Sequence, residues 1–258
     1  MTLRELHEVC HAFGDFVCPL YDVKQRRARL VGTGVPMRIG NLAVIVTATH
    51  VAEQFDERPF VTIGRETLLE VGRRRIGYKY IKNERVDTDL AIIELTSAEA
   101  SEMRQRFSFS IAEDVADVVP PNGPYALYVL VGYPYSHNKP KPTAFERLRA
   151  RTTYVVSNKL AESVHPYSQG KHDNVHFGIL APAADLTDAS LTPITLPKAQ
   201  GMSGGGVWQI IVDRLSGSLG APKLVGIGIE HNRQHEVFIA TRVPYVLPLL
   251  QDLTRVAT

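Results

Sequence analysis

Short apolar runs separated by polar turns dominate the chain from residue 28 onward. The run at 29–37 leads through Gly40 and Asn41 into a second run at 42–48, a pattern that predicts a β-hairpin. Further apolar runs predict strands at 61–63, 68–71, 89–95, 125–134, 150–156, 175–180, 206–212, 223–230 and 236–242. Turn signals at such spacing predict an all-β barrel or sandwich.

Helical periodicity is confined to three segments. Leu3, Leu6, Val9, Cys10 and Phe13 have helical spacing. A segment without Pro or Gly at 97–107 predicts a helical bridge between two lobes, and 244–253 predicts a C-terminal helix. We therefore predict an N-terminal helical segment at 1–27, a first β-barrel with a helical linker at 28–118, and a second β-barrel with a C-terminal helix at 119–258.

Composition restricts the class of protein and its partners. The 258 residues are 44% hydrophobic and 22% charged, as in a soluble globular protein. A net charge of +2 gives no reason to expect a nucleic acid or a membrane as partner. No apolar run reaches the roughly eighteen residues of a membrane helix, and the N-terminus shows no signal-peptide pattern.

Two cysteines, Cys10 and Cys18, are the whole complement of the chain. So few cysteines favour a reducing compartment, and we predict a cytoplasmic protein. Metal ligation or a disulfide bond would be alternative uses, but no Cys or His partner has CxxC-like spacing. We expect buried, inert thiols, no metal and no cofactor.

The stretch G-M-S-G-G-G at 201–206 carries the clearest candidate for chemistry, Ser203. Glycines allow a tight turn and close approach of a substrate to the backbone, as an exposed nucleophilic serine requires. A flexible surface turn before a strand is the alternative explanation.

Two upstream motifs favour the catalytic interpretation. An apolar strand ends in T-A-T-H at His50, and Asp89 directly precedes the run L-A-I-I. The order His, Asp, Ser is that of the chymotrypsin-type catalytic triad, the standard example of catalysis by a nucleophilic serine. Asp87 is the rival acid, and a strand-end histidine or a turn aspartate without catalytic role is the structural alternative for each residue.

These three motifs, together with V-G-Y-P at 131–134, resemble those of the trypsin/chymotrypsin-like serine proteases, in particular the compact bacterial trypsin-like peptidases. The resemblance covers about residues 28–248. It implies two six-stranded antiparallel β-barrels with short N- and C-terminal helices. It also implies a serine endopeptidase that cleaves peptide bonds through an acyl-enzyme.

The resemblance assigns a role to each residue. Ser203 is the nucleophile, His50 its general base, and Asp89 orients the imidazole and stabilises its charged form. The backbone N–H groups of Gly201 and Ser203 form the oxyanion hole, so Gly201 should not tolerate a β-carbon.

Substrate should pair with the strand that contains Gly228, Ile229 and Glu230, and Pro197 occupies the pocket position where trypsin carries an acid. A preference for Arg or Lys is therefore not predicted. Glu230 either lies over the pocket mouth or faces solvent, and we favour solvent.

Met202 stands where activatable relatives carry the aspartate that pairs with a new N-terminus, so zymogen activation of that kind is not expected. A protein or peptide is the expected substrate, and a regulatory protein partner is a further hypothesis. A catalytically silent, trypsin-like binding module is the main alternative function. An α/β-hydrolase is disfavoured because its serine would come first in the chain and precede a helix.

Overall fold

Two curled antiparallel β-sheets form most of the protein, and both sides of a cleft come from them. The computed structural model describes residues 3–24, 27–55, 58–63, 67–72, 74–78, 88–119, 124–138, 150–168, 171–181 and 199–248.

The first sheet contains the N-terminal strands. They are β1 (Cys18–Lys24), β2 (Arg27–Ile39), β3 (Leu42–Ala48), β4 (Phe60–Ile63), β5 (Thr67–Glu70), β6 (Arg74–Tyr78), β7 (Leu90–Leu95) and the short β8 (Ser110–Ile111). Their order is β5-β4-β1-β2-β3-β7-β6, and β8 pairs with β2 in parallel.

The second sheet contains the C-terminal strands. They are β9 (Ala126–Gly132), β10 (Thr153–Ser157), β11 (His176–Leu180), β12 (Gly206–Ile211), β13 (Lys223–Asn232) and β14 (Val237–Arg242). Their order is β10-β9-β12-β13-β14-β11, with antiparallel pairing throughout. The predicted all-β fold of two antiparallel units is confirmed; the second sheet has the six strands predicted, whereas the first has eight.

The N-terminal segment differs from its prediction. The helix predicted from the spacing of Leu3 to Phe13 is confirmed at Leu3–Ala12, but the rest of the segment predicted as helical contains a strand: β1 occupies Cys18–Lys24 and pairs with β2 and β4. The first five residues of β1 are all buried, so the alternation of polar and apolar residues that reveals a half-buried strand is absent.

The described helices are short. They are α1 (Leu3–Ala12), α2 (Thr49–Ala52) and α3 (Ser97–Met103). A reciprocal capping box between Thr96 and Glu99 starts α3, which ends four residues before the predicted bound. A 3₁₀ turn at Val243–Tyr245 begins the predicted C-terminal helix, whose second half at 249–253 lies outside the described residues. None of the helices in the described ranges is long and apolar enough to span a bilayer.

Both cysteines are buried, free thiols, as expected. Burial raises the pKa of Cys10 to about 12 and also raises the pKa of Cys18. Neither thiol is therefore ionised near neutral pH, which makes both unreactive.

One apolar cluster joins the two sheets. It includes Val35 and Val44 from the first sheet and Val129 and Ile210 from the second. Phe13, just after α1, stacks on Trp208 of β12 with ring centroids 4.9 Å apart. The N-terminal segment therefore holds strands of both sheets together.

We predict that Phe13→Ala lowers the free energy of unfolding by about 3 kcal/mol, because it opens a cavity beside Trp208 in this shared cluster. Urea unfolding followed by tryptophan fluorescence measures the change. The fully exposed Leu215 provides the control, and Leu215→Ala should change stability by less than about 0.5 kcal/mol. Equal effects of the two substitutions would contradict the anchoring role of Phe13.

Candidate active site

The pairing of β3 with β7 brings His50 next to Asp89. Ala48, the last residue of β3, pairs with Leu90, the first residue of β7. Residues just beyond these paired ends must therefore be neighbours. The backbone N–H of Thr49 donates to the Asp89 carbonyl oxygen at 3.0 Å, and the Thr49 hydroxyl donates to the Leu90 carbonyl oxygen at 2.7 Å.

The Asp89 carboxylate holds both the backbone and the ring of His50. Its Oδ1 accepts from the His50 backbone N–H at 3.1 Å, and its Oδ2 lies 2.7 Å from His50 Nδ1. Asp89 has φ 47°, a left-handed conformation that aspartate tolerates better than most residues. With Nδ1 as the donor to Asp89, Nε2 of the neutral ring is left as an acceptor. Asp87, the rival acid, lies outside the described residues.

The hydrogen bond that His50 donates to the Asp89 carboxylate raises the pKa of His50 above its ordinary value. Burial acts in the opposite direction, as does the positive charge of Lys171. The carboxylate therefore makes the ring a stronger base, which is the property a general base needs.

Two glycines in left-handed conformations shape the Ser203 loop. Gly201 has φ 95° and Gly204 has φ 85°, values that residues with a Cβ rarely adopt. A Cβ on Gly201 would lie 2.6 Å from the Tyr133 carbonyl oxygen, and one on Gly204 would collide with the Thr33 carbonyl oxygen. The Gly204 N–H donates to the Gly228 carbonyl oxygen at 2.7 Å, which ties the loop to β13.

Thr33 in β2 clamps this loop to the first sheet. Its N–H donates to the Ser203 carbonyl oxygen at 2.9 Å, and its hydroxyl donates to the Gly201 carbonyl oxygen at 2.8 Å. The same hydroxyl accepts from the Tyr133 N–H at 2.9 Å, and the Thr33 carbonyl oxygen accepts from the Thr47 hydroxyl at 2.7 Å.

Sequence reasoning missed Thr33, although the chain carries a signal for it. Thr33 lies between Gly32 and Gly34 inside a strand, and a glycine there often marks close approach of another backbone. A Cβ on Gly32 would lie 3.1 Å from the Ser203 carbonyl oxygen, so the approach is real.

Two backbone donors point to where an oxyanion would be bound. Within the described ranges, the N–H groups of Gly201 and Ser203 donate to no protein acceptor, whereas the intervening Met202 N–H donates to the Ala199 carbonyl oxygen at 2.8 Å. Two free donors flanking a bonded one fit the expected oxyanion hole.

A cleft of about 420 Å³ collects most of the predicted site residues. His50, Asp89 and Ser203 line it together with Gly228, Ile229 and Glu230. The Ser203 hydroxyl donates to the Ile229 carbonyl oxygen at 3.3 Å and makes no hydrogen bond to the described ring of His50. Catalytic hydrogen bonds are often long or absent before substrate binds, so this arrangement is compatible with catalysis.

Three of the predicted substrate-binding residues, Gly228, Ile229 and Glu230, belong to β13 and line the cleft. A bulge between Gly228 and Glu230 interrupts the pairing of β13 with β14. Glu230 is exposed yet also lines the cleft, and it accepts a hydrogen bond from the Ser168 hydroxyl at 2.7 Å. Both of its predicted orientations are therefore partly realised. Pro197 lies outside the described residues.

Comparisons with known proteins do not identify a family for this chain. No protein-family model and no curated protein matches the sequence. Among solved structures, the chain is similar to a thermostable serine protease from an extremophilic microorganism, with 13% sequence identity and a TM-score of 0.48. The similarity covers 90% of this chain and 92% of that one. A likeness this distant identifies neither a family nor an activity for this chain.

We predict that Thr33→Val lowers the free energy of unfolding by about 2–3 kcal/mol, because the Tyr133 N–H and the Gly201 carbonyl oxygen lose their partner in a buried place. Chemical denaturation measures the loss. Thr62→Val is the matched control, since Thr62 is also buried in a strand and no described hydrogen bond involves its hydroxyl. A loss no larger than that of the control would contradict the clamp.

Proposed function

We propose that the protein is a serine endopeptidase that uses His50, Asp89 and Ser203. The observation that carries the proposal is the Asp89-bound imidazole of His50 in the same cleft as Ser203. An oriented base, a serine on a strained glycine-rich loop and two free backbone donors are the parts that acyl transfer needs.

The first half of the reaction forms an acyl-enzyme. The Ser203 hydroxyl turns from the Ile229 carbonyl oxygen towards His50 Nε2, which accepts its proton as Oγ attacks the peptide carbonyl carbon. The N–H groups of Gly201 and Ser203 stabilise the resulting oxyanion. The imidazolium then protonates the leaving amine, and the C–N bond breaks.

The second half releases the acyl group. Water enters in place of the amine, loses a proton to His50 Nε2 and attacks the ester carbonyl carbon. Collapse of the second tetrahedral intermediate breaks the C–O bond, and His50 returns the proton to Ser203 Oγ. Asp89 stays ionised and stabilises the imidazolium in both halves.

The structure also bears on how the site is prepared. Met202 is buried, with 2% of its surface exposed, and packs in an apolar cluster with Leu130 and Val207. An apolar side chain in this environment cannot form an ion pair with a charged N-terminus. We therefore propose a site that needs no zymogen cleavage, in a reducing, cytoplasmic setting that suits the free thiols, with a regulatory protein as an optional partner.

A silent binding module is the second candidate function. The observation that favours it is the hydrogen bond from Ser203 to Ile229 instead of to His50. The two functions differ in one property, since only a protease needs a reactive Ser203.

We predict that a fluorophosphonate probe labels the wild-type protein and that Ser203→Ala and His50→Ala each abolish labelling, because the probe reacts with a base-activated serine. In-gel fluorescence after a fixed time measures the modification. Ser101→Ala and His235→Ala, which alter exposed side chains, should label as the wild type does. A folded wild-type protein that stays unlabelled would favour the silent module.

We predict that kcat/KM falls on acidification with a pKa above the ordinary value of about 6.5 for histidine. Hydrolysis needs neutral His50, and the Asp89 hydrogen bond raises the pKa of that ring. Rates should therefore rise with pH through this raised pKa and then level off. A pH–rate profile on a peptide substrate measures it.

Asp89→Asn should move the fall in kcat/KM on acidification to lower pH, because the charge that raises the pKa of His50 is gone. It should also reduce kcat by a factor on the order of 10⁴, because the ring loses its favoured tautomer. An unchanged pH limb in this variant would argue against Asp89 as the partner of His50.

A further inference from the structure

The wall of the cleft carries a histidine that the mechanism does not use. His231 follows Glu230 in β13 and lines the same cleft as Ser203. Its ring stacks on Phe238 of β14, with centroids 4.1 Å apart and planes inclined by 14°. The stack holds an imidazole in the wall of the cleft that also contains Ser203.

Both ring nitrogens of His231 are buried and have no hydrogen-bond partner. His176, a buried histidine, shows the usual arrangement, because its Nδ1 is bonded to the backbone of His172. Leaving a buried polar group unpaired costs about 1–3 kcal/mol, so such groups are rare, and a binding or catalytic role is one reason for them. In the lining of a cleft, a bound ligand can supply the missing hydrogen-bond partner.

Charges of both signs surround the ring, and the nearest positive one is Arg233. Burial lowers the pKa of His231 and the positive charge of Arg233 lowers it further, whereas Glu236 acts in the opposite direction more weakly. The ring is therefore neutral at pH 7 and offers one N–H donor. Arg233 also lines the cleft, and no ion pair within the described ranges engages it. Two carboxylates share the lining, and each is already hydrogen-bonded, Asp89 to the His50 ring and Glu230 to the Ser168 hydroxyl.

We propose that His231 and Arg233 select a substrate whose residue on the acyl side of the cleaved bond carries a carboxylate, glutamate above all. This inference rests on the proposed function for the direction of the cut, although the binding preference does not require catalysis. The carboxylate accepts from the His231 N–H once the ring turns one edge into the cleft, and Arg233 balances its charge.

Three other side chains define what the pocket should reject. A glutamine side chain can accept from His231 but gains nothing from the charge of Arg233. A leucine side chain would leave both nitrogens unpaired. A lysine side chain would be repelled by Arg233. The expected order of affinity is therefore Glu, then Gln, then Leu and Lys.

The test measures binding to the Ser203→Ala protein, in which the cleft is kept and cleavage is prevented. Four fluorescent peptide amides differ only in one residue, Glu, Gln, Leu or Lys, within an alanine-rich sequence. Fluorescence anisotropy should show the Glu peptide bound about ten-fold more tightly than the Gln peptide, the typical gain of a charge-assisted hydrogen bond. Adding His231→Ala should reduce this ratio to about two or less.

The matched control is His235→Ala, which removes a neighbouring exposed histidine that packs on Tyr167 outside the cleft lining. It should keep the preference for Glu, and Arg233→Gln should reduce that preference. Equal affinities for the four peptides, including no measurable binding of any, would overturn the assignment, as would retention of the Glu preference without His231.

Failure of this inference and failure of the proposed function give different results. Probe labelling of wild-type Ser203 together with equal affinities would leave a protease without the acidic preference. A Glu preference that depends on His231 in a protein that is never labelled would leave an acidic-peptide binding site without the reaction.

Discussion

Thr33 is the residue on which the candidate site depends, because it joins the two sheets at the nucleophile loop. Its N–H, hydroxyl and carbonyl oxygen are each engaged, and its contacts reach β3, the Ser203 loop and the strand end at Tyr133. Thr33 is fully buried, so water cannot replace these hydrogen bonds. The position of Ser203 relative to the first sheet therefore follows from one buried threonine and its two flanking glycines.

The two sheets contribute different parts of the chemistry. Register in the first sheet is enough to place His50 on Asp89, since both residues adjoin the paired ends of β3 and β7. The second sheet supplies Ser203 before β12 and the lining residues of β13. His50 and Ser203 can meet only if the sheets stay docked, so the apolar cluster that the sheets share is a requirement for the candidate site as well as for stability.

The sequence predicted what is local and missed what depends on pairing between distant segments. The fold class, most strands and the three motifs follow from periodicity and short-range patterns. β1 was missed because its leading residues are buried on both faces, and Thr33 was missed because its partners lie 100 and 168 residues away. The predicted strand at 223–230 stops short of His231, and nothing in the neighbours of His231 along the chain reveals that Phe238 stacks on it or that its nitrogens lack partners.

Met202 shows how the Ser203 loop is held without an ion pair. Its side chain fills an apolar cluster, its N–H closes a turn on Ala199, and Thr33 fixes the residues on either side. The loop is therefore held by packing and neutral hydrogen bonds, neither of which a new N-terminal amine would strengthen.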